Sequence, residues 1–265
     1  MFERLSLIRA HPSRVLDAGC GEGDDLMSLH QAFPHAQLLG MDASAAMLAV
    51  ARQRGQQAGS RMQKLLQRLR VVSGTADARH LTCADFGRLP LAAASVDLLW
   101  SNLALHWHPQ PHEVMREWAR VLSVEGLLMF SAFGPDTFAE LRSAYSAAGL
   151  VAPVLPFVDL HDYGDMMVEA GFADPVMDME KLNITYSSVD DLLADVRSFG
   201  GNPLGERKAG LTPRSQMAAL RQMLDSQKSA DGRISLSIEV VYGHAFRPSP
   251  AKTRTGESII HFHRP

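Results

Sequence analysis

Apolar residues in the first half of the chain fall into short continuous runs, separated by longer stretches with helical spacing. This is the pattern of a parallel sheet whose strands are buried on both faces by crossover helices. The runs at 14–16 and 37–41 give the first two strands, each followed by a polar turn. A third strand has two competing places, 69–73 and 81–84, and a fourth and fifth are expected at 96–101 and 127–132. Between them, 24–33 reads as a helix ended by Pro34, and 111–122 as another with Val114, Trp118, Val121 and Leu122 on its core side. Phe2, Leu5, Leu7 and Ile8 are enough for a short leading helix within 2–10. Strand, helix and strand in succession imply parallel pairing through right-handed crossovers.

The second half is less regular. Gly134-Pro135-Asp136-Thr137 reads as a helix start, with Phe138, Leu141 and Tyr145 at helical spacing behind it. Further helices are expected over 159–170, 189–199 and 214–226, with a strand over 176–186. Ile234, Leu236, Ile238, Val240 and Tyr242 alternate through 234–246, the strongest strand signal in the chain. The stretch 188–230 then forms an insertion before that strand, and such an insertion is a natural lid. The tail, 248–265, with Pro248 and Pro250 and few apolar residues, is expected to be poorly ordered.

The helix that begins near Ser44 runs into an unusual basic segment. Arg52, Arg54, Arg61, Lys64, Arg68 and Arg70 occur without one acid, while Met62, Leu65, Leu66 and Leu69 keep helical spacing. That describes an amphipathic helix with a solvated basic face, or a docking surface for an acidic partner.

Composition narrows the class. The 265 residues suffice for one domain, 1–247, with insertions at about 52–80 and 188–230; 46% are hydrophobic and 21% charged. A net charge of −3 gives no global pull toward nucleic acid or membrane. Cys20 and Cys83 are too few and too poorly spaced for a zinc site or a disulfide framework. No run approaches the roughly 20 apolar residues of a membrane span, and 1–13 lacks the apolar core of a signal peptide, so the cytoplasm is expected.

The chemistry starts at Asp17-Ala18-Gly19-Cys20-Gly21-Glu22-Gly23, between the first strand and the first crossover helix. The glycines allow a tight turn and a close approach to a ligand. A dinucleotide fingerprint needs a small residue at position 24, where Asp24 would instead oppose a pyrophosphate. The stretch resembles motif I of the class I S-adenosylmethionine-dependent methyltransferases, whose cofactor lacks phosphates and carries a positive sulfonium. Asp42 ends the second strand about 20 residues on, where a carboxylate can accept hydrogen bonds from both ribose hydroxyls. Asp85, Phe86, Leu89-Pro90 and Asp97 resemble the next two motifs of small-molecule methyltransferases, which implies that Asp85 meets the adenine amino group and Phe86 packs on the ring. The cofactor set is therefore Asp17, Gly19, Gly21, Gly23, Asp42, Asp85 and Phe86.

Longer strings extend the resemblance over nearly the whole chain. Ser101 to Trp107, Phe133-Gly134-Pro135-Asp136-Thr137 with Glu140-Leu141-Arg142, Asp159-Leu160-His161-Asp162, Ala170-Gly171-Phe172, and Glu239-Val240-Val241-Tyr242-Gly243-His244-Ala245 are similar to the malonyl-acyl-carrier-protein O-methyltransferases of biotin synthesis. The resemblance implies a Rossmann-like α/β fold with seven strands in the order 3-2-1-4-5-7-6, mostly parallel, strand 7 antiparallel, and the helical insertion before it. It also implies methyl transfer from S-adenosylmethionine to the free carboxylate of malonyl-acyl carrier protein, an acidic partner for the 52–70 face. Family members usually carry a longer N-terminal segment with an aromatic residue over the cofactor, whereas about a dozen residues precede the first strand here.

A malonyl carboxylate is ionised at pH 7, so no general base is needed, and a cationic or amide anchor is expected instead. Asn102, His106 and Arg142 are the candidates, with Trp107 as a wall of the methyl pocket. His106, His108 and His112 have no carboxylate at ligand spacing, so no metal is expected. The second half also resembles a complex I assembly factor that hydroxylates arginine, a reaction that needs an oxidant; a non-catalytic cofactor-binding assembly protein is the third reading.

Overall fold

The expected alternation of strands and helices is present. The structure, a computed structural model, describes residues 1–58, 79–199 and 213–249. In chain order the elements are α1 (Phe2–Leu5), β1 (Arg14–Ala18), α2 (Asp24–Ala32), β2 (Gln37–Asp42), α3 (Ala45–Ala58), β3 (Arg79–Cys83), β4 (Val96–Ser101), a 3-10 turn (Leu105–Trp107) and α4 (Pro111–Val121). They continue with β5 (Leu122–Phe133), α5 (Ala139–Ala147), α6 (Leu160–Glu169), β6 (Ala173–Tyr186), α7 (Val189–Ser198), α8 (Arg214–Asp225) and β7 (Ile234–Phe246). The sheet order is β3-β2-β1-β4-β5-β7-β6, as the resemblance implies.

β1, β2, β3, β4 and β5 are parallel. Val15, Leu16, Leu98, Leu99 and Trp100 are fully buried, because helices cover both faces of the central strands. β7 runs the other way beside β5. The Glu125 N–H donates to the Arg247 carbonyl near the start of β5, and the Gly134 N–H donates to the Glu239 carbonyl just past its end. As β5 advances, its partner positions on β7 go back along the chain, which is the antiparallel sense.

Local chemistry explains the helix starts. Asp24 and Asp25 occupy the first turn of α2, where acids suit the positive end of the helix dipole. Pro111 opens α4, and Ser188 caps α7 by accepting the Asp191 N–H at 3.1 Å.

The chain divides into two compact units, one made of 1–131, 164–176 and the residues from Gly243, the other of 132–163 and 177–242. The first has a core of β1, β2, β4 and β5 residues with Leu5 and Phe2 of α1 packed on it, the Phe2 ring lying 4.5 Å from that of Trp100. The second builds its own core from Phe133, Phe138, Leu192, Leu220, Leu224 and Leu236, among others. The described part of the 188–230 insertion falls in this second unit.

β3 forms at the second of the two competing places, the one that leads into Asp85 and Phe86, while 69–73 lies outside the described residues. Two boundaries differ from expectation for identifiable reasons. β5 begins at Leu122 rather than 127. Glu125, at φ 63°, and Gly126 look like a turn in sequence, but their hydrogen bonds to Arg247 keep the segment in the sheet. Phe138 does not belong to α5. It takes a left-handed φ of 61° just before the helix and sends its ring against Phe199 at 5.5 Å. Most of the basic segment and the tail from 250 also lie outside the described residues. Among the described residues, no helix is long and apolar enough to cross a membrane.

Candidate functional site

The glycine loop is shaped by backbone geometry that other residues resist. Gly19, Gly21 and Gly23 all take positive φ, at 84°, 52° and 79°. The N–H groups of Gly19 and Cys20 both donate to the Met41 carbonyl, at 2.7 and 3.0 Å, so the loop folds back on the end of β2. There Asp42 accepts the Gly21 N–H on Oδ2 at 2.9 Å and the Ser44 N–H on Oδ1 at 2.7 Å. A carboxylate oxygen accepts more than one hydrogen bond, so Asp42 is oriented by these contacts and keeps capacity for a ligand.

Asp17 lies beneath the loop, 1% exposed, and its Oδ2 has no hydrogen-bond partner among the described residues. Burial, then the nearby charges of Asp25 and Asp42, push its carboxyl well above the ordinary value. A buried carboxyl with one unpartnered oxygen and two more acids close by is suited to a cation.

β3 leads into Asp85 and Phe86. Asp85 is exposed and accepts the Gly87 N–H at 2.8 Å, with His108 Nε2 3.8 Å away. The Phe86 carbonyl accepts the Trp118 Nε1–H at 3.1 Å, and its ring lies 5.7 Å from His108 and 6.2 Å from Trp118. The exit of β4 closes the group, since a Cβ on Gly19 would meet the Ala104 Cβ at 2.3 Å and Phe86 Cδ1 at 3.7 Å. The structure thus brings Asp17, Gly19, Gly21, Asp42 and Phe86 together at the carboxyl ends of the parallel strands, where open α/β sheets bind ligands.

Beyond β4, Asn102 is held rather than loose. Its Nδ2 donates to Asp25 Oδ2 at 2.9 Å, and its Oδ1 accepts the Ser131 Oγ–H at 2.6 Å. His106, in the 3-10 turn, is driven by burial down from 6.5 to about 3 and is therefore neutral at physiological pH. Trp107 is 36% exposed beside it, with ring centroids 5.2 Å apart.

A family model described as a methyltransferase domain matches residues 16–130, the span that carries the contacts just described apart from Ser131. The chain is 41% identical to the malonyl-[acyl-carrier protein] O-methyltransferase of Laribacter hongkongensis, over 99% of this chain and 86% of that one. It is also 41% identical to the protein of the same name from Gallionella capsiferriformans, over 98% of this chain and 86% of that one. The chain belongs to the malonyl-[acyl-carrier protein] O-methyltransferase family. A Bacillus halodurans structure superposes with a TM-score of 0.62 at 17% identity, covering 93% of this chain and 97% of that one, which shows the shared fold.

In this methyltransferase the acids and glycines suit a cofactor with cationic groups and ribose hydroxyls, and oppose a pyrophosphate. Arg142 belongs to the second unit. Its guanidinium donates to the carbonyls of Pro135 and Thr137, just before α5. That loop is tied down further, with the Asp136 N–H on Glu239 Oε2 at 2.7 Å and an ion pair from Lys181 to the Asp136 carboxylate. Glu239 is 3% exposed, and the close fit of Gly134 against it leaves no room for a Cβ, which would fall 2.6 Å from its Cδ. Sequence reasoning gave Arg142 an anchoring role and did not single out Glu239, because a bond to a backbone carbonyl or N–H leaves no trace in residue type.

Two more residues escaped it. Asp25 reads as a helix-start acid, yet it turns inward to Trp100 and Asn102. Arg54 reads as part of a basic face, yet it pairs with Glu22 and with Asp24, tying α3 to the glycine loop. Among the described residues no group of three His, Cys, Asp or Glu could hold a metal ion.

Proposed function

We propose that the protein transfers a methyl group from S-adenosylmethionine to the free carboxylate of malonyl-acyl carrier protein, in the cytoplasm. The observation that carries this reading is similarity along 99% of the chain to a relative that bears that activity in its name. The bound cofactor supplies a methyl group already activated by a sulfonium leaving group. The chain's own residues bind and align. Asp17 offers a buried unpaired oxygen to the cationic part of the cofactor, and Gly19, Gly21 and Gly23 let the backbone come close to it. Asp42 takes the ribose hydroxyls, Asp85 the adenine amino group, and Phe86 the face of the ring.

The malonyl carboxylate is an ionised nucleophile at neutral pH, so alignment is the main task, and intramolecular models allow roughly 7–11 kcal/mol for it. Among the three anchors, Asn102 is favoured. It is exposed, and its amide retains a second N–H beyond the one given to Asp25. His106 contributes a neutral ring and no charge, and Arg142 is committed to two backbone carbonyls.

The test is methylation of purified malonyl-acyl carrier protein with labelled S-adenosylmethionine, beside rescue of a biotin auxotroph that lacks this methyltransferase. Wild type is expected to transfer label and restore growth, and Asp42→Ala and Asp85→Ala to lose both. A soluble wild type that binds the cofactor but leaves malonyl-acyl carrier protein unlabelled would overturn the substrate assignment.

A further inference from the structure

The end of β4 and the turn that follows it are held by a hydrogen-bond network in which two donors meet at one carboxylate. Asp25 Oδ2 accepts the Trp100 Nε1–H at 2.7 Å and the Asn102 Nδ2–H at 2.9 Å. Asn102 Oδ1 in turn accepts from Ser131 Oγ on β5, and that same Oγ accepts the Leu103 N–H at 3.0 Å. Leu103 sits at φ 51°, a left-handed conformation that a β-unbranched apolar residue adopts only when its surroundings enforce it. One residue on, Ala104 packs against Gly19 too closely for any Cβ there. Asp25 therefore stands between the helix that follows the cofactor loop and the turn that carries Asn102, His106 and Trp107.

Its place in the first turn of α2 does not account for this. Asp24 already sits in that turn, exposed and paired with Arg54 at 2.5 Å, while Asp25 is half-buried and its accepting oxygen faces the sheet. Trp100 is fully buried, so its indole N–H would be left without a partner if the carboxylate were removed.

We infer that Asp25 is a positioning residue for the methyl acceptor: through Trp100, Asn102 and Ser131 it fixes the turn after β4 in register with the cofactor loop. It acts through the oxygen it presents, and its charge is secondary. This rests on the methyl-transfer reading, in which that turn faces the acceptor. Misplacing a reacting group by about 1 Å can cost roughly 100-fold in rate, so a loosened turn has a large effect without touching either substrate.

The experiment compares Asp25→Ala and Asp25→Asn with wild type. The asparagine can present its Oδ1 to both donors; the alanine cannot. Acceptor kcat/KM is expected to fall roughly 100-fold in Asp25→Ala and to stay within about threefold in Asp25→Asn, with cofactor affinity by calorimetry changed less than the acceptor parameters. A readout free of activity goes with it, the indole N–H resonances of Trp100, Trp107 and Trp118 in labelled protein. Trp100 and Trp107 are expected to move in Asp25→Ala and to keep near-native positions in Asp25→Asn, with Trp118 unmoved in both. An Asp25→Asn variant as impaired as Asp25→Ala, or a Trp107 resonance indifferent to the alanine, would overturn the positioning role. If wild type itself fails to methylate malonyl-acyl carrier protein, the substrate assignment falls and the resonances alone decide the role of Asp25.

Discussion

A Cβ on Gly19 would stand 2.3 Å from the Cβ of Ala104, closer than two carbons can approach. The cofactor loop and the turn after β4 are therefore in contact through a missing side chain. Gly19→Ala has to place a methyl group there while holding φ at 84°. The left-handed conformation alone costs roughly 1–2 kcal/mol, and overpacking adds about 1–3 kcal/mol. Gly21 has the same kind of backbone, at φ 52°, with nothing within 4 Å of an added Cβ. Urea unfolding is expected to show the smaller cost for Gly21→Ala and a markedly larger one for Gly19→Ala, with methyl transfer abolished by the latter. Equal losses in the two variants would mean that Ala104 yields freely.

Asp17 sets stability against binding. Its carboxyl is raised above 3.8 in the folded protein, so the folded state holds a proton that the unfolded chain releases as pH rises past that value. Stability due to this group is greatest below the unfolded pKa and is lost as pH climbs toward the folded one. At neutral pH Asp17→Asn removes that penalty. The variant is expected to gain about 1 kcal/mol in urea unfolding while its cofactor affinity drops at least tenfold by calorimetry, and to lose the part of the stability–pH slope that lies above 3.8. A variant that binds the cofactor as tightly as wild type would remove Asp17 from the site.

Fold and glycine loop were legible because they depend on local pattern. The alternation from Ile234 to Tyr242 located β7 with both ends correct, and Asp42 was placed by the run of apolar residues before it. The start of β5 was hidden because Glu125 and Gly126 have the composition of a turn and are tied into the sheet by Arg247, far along the chain. Phe138 was hidden for a similar reason. Its helical spacing to Leu141 is real, but the core formed with Phe133 and Phe199 recruits the ring from outside the helix. For the proposed acceptor anchors the sequence named residue types suited to a carboxylate and could not see their commitments. Asn102 to Asp25, Arg142 to two carbonyls and His106 to a buried turn are all tertiary facts.

His106 gives the protein an acid limit. Burial lowers it from 6.5 to about 3, so it stays neutral in the folded state while the unfolded chain takes up a proton below 6.5. Its contribution is fully present above that value and is lost as pH falls toward the folded pKa, by about 1.4 kcal/mol per pH unit. Unfolding free energy measured between pH 7 and pH 5 is expected to decline, and His106→Gln to flatten the decline. The pH profile of methyl transfer between 6 and 8 should show no ionisation that this substitution removes. An ionisation near neutrality that vanishes in His106→Gln would return a charged anchor to this position.

Arg142 separates a structural cation from a substrate anchor. Its guanidinium reaches the Pro135 and Thr137 carbonyls at once, which a planar fork does and a lysine ammonium does poorly. Hydrogen bonds from a charged donor contribute about 1.5–3 kcal/mol, so Arg142→Ala is expected to lose that much stability and Arg142→Lys to recover only part of it. Because the clamp holds the loop from Gly134 to Phe138 and not the glycine loop, cofactor affinity should remain within about threefold of wild type in both variants. An anchoring role gives the opposite pattern. The lysine would retain a cation for the acceptor carboxylate, so acceptor KM would be nearly native in Arg142→Lys and at least tenfold raised in Arg142→Ala, with little change in unfolding free energy. Steady-state kinetics on malonyl-acyl carrier protein beside urea denaturation of the same two variants decides between them, and the two carbonyl bonds favour the clamp.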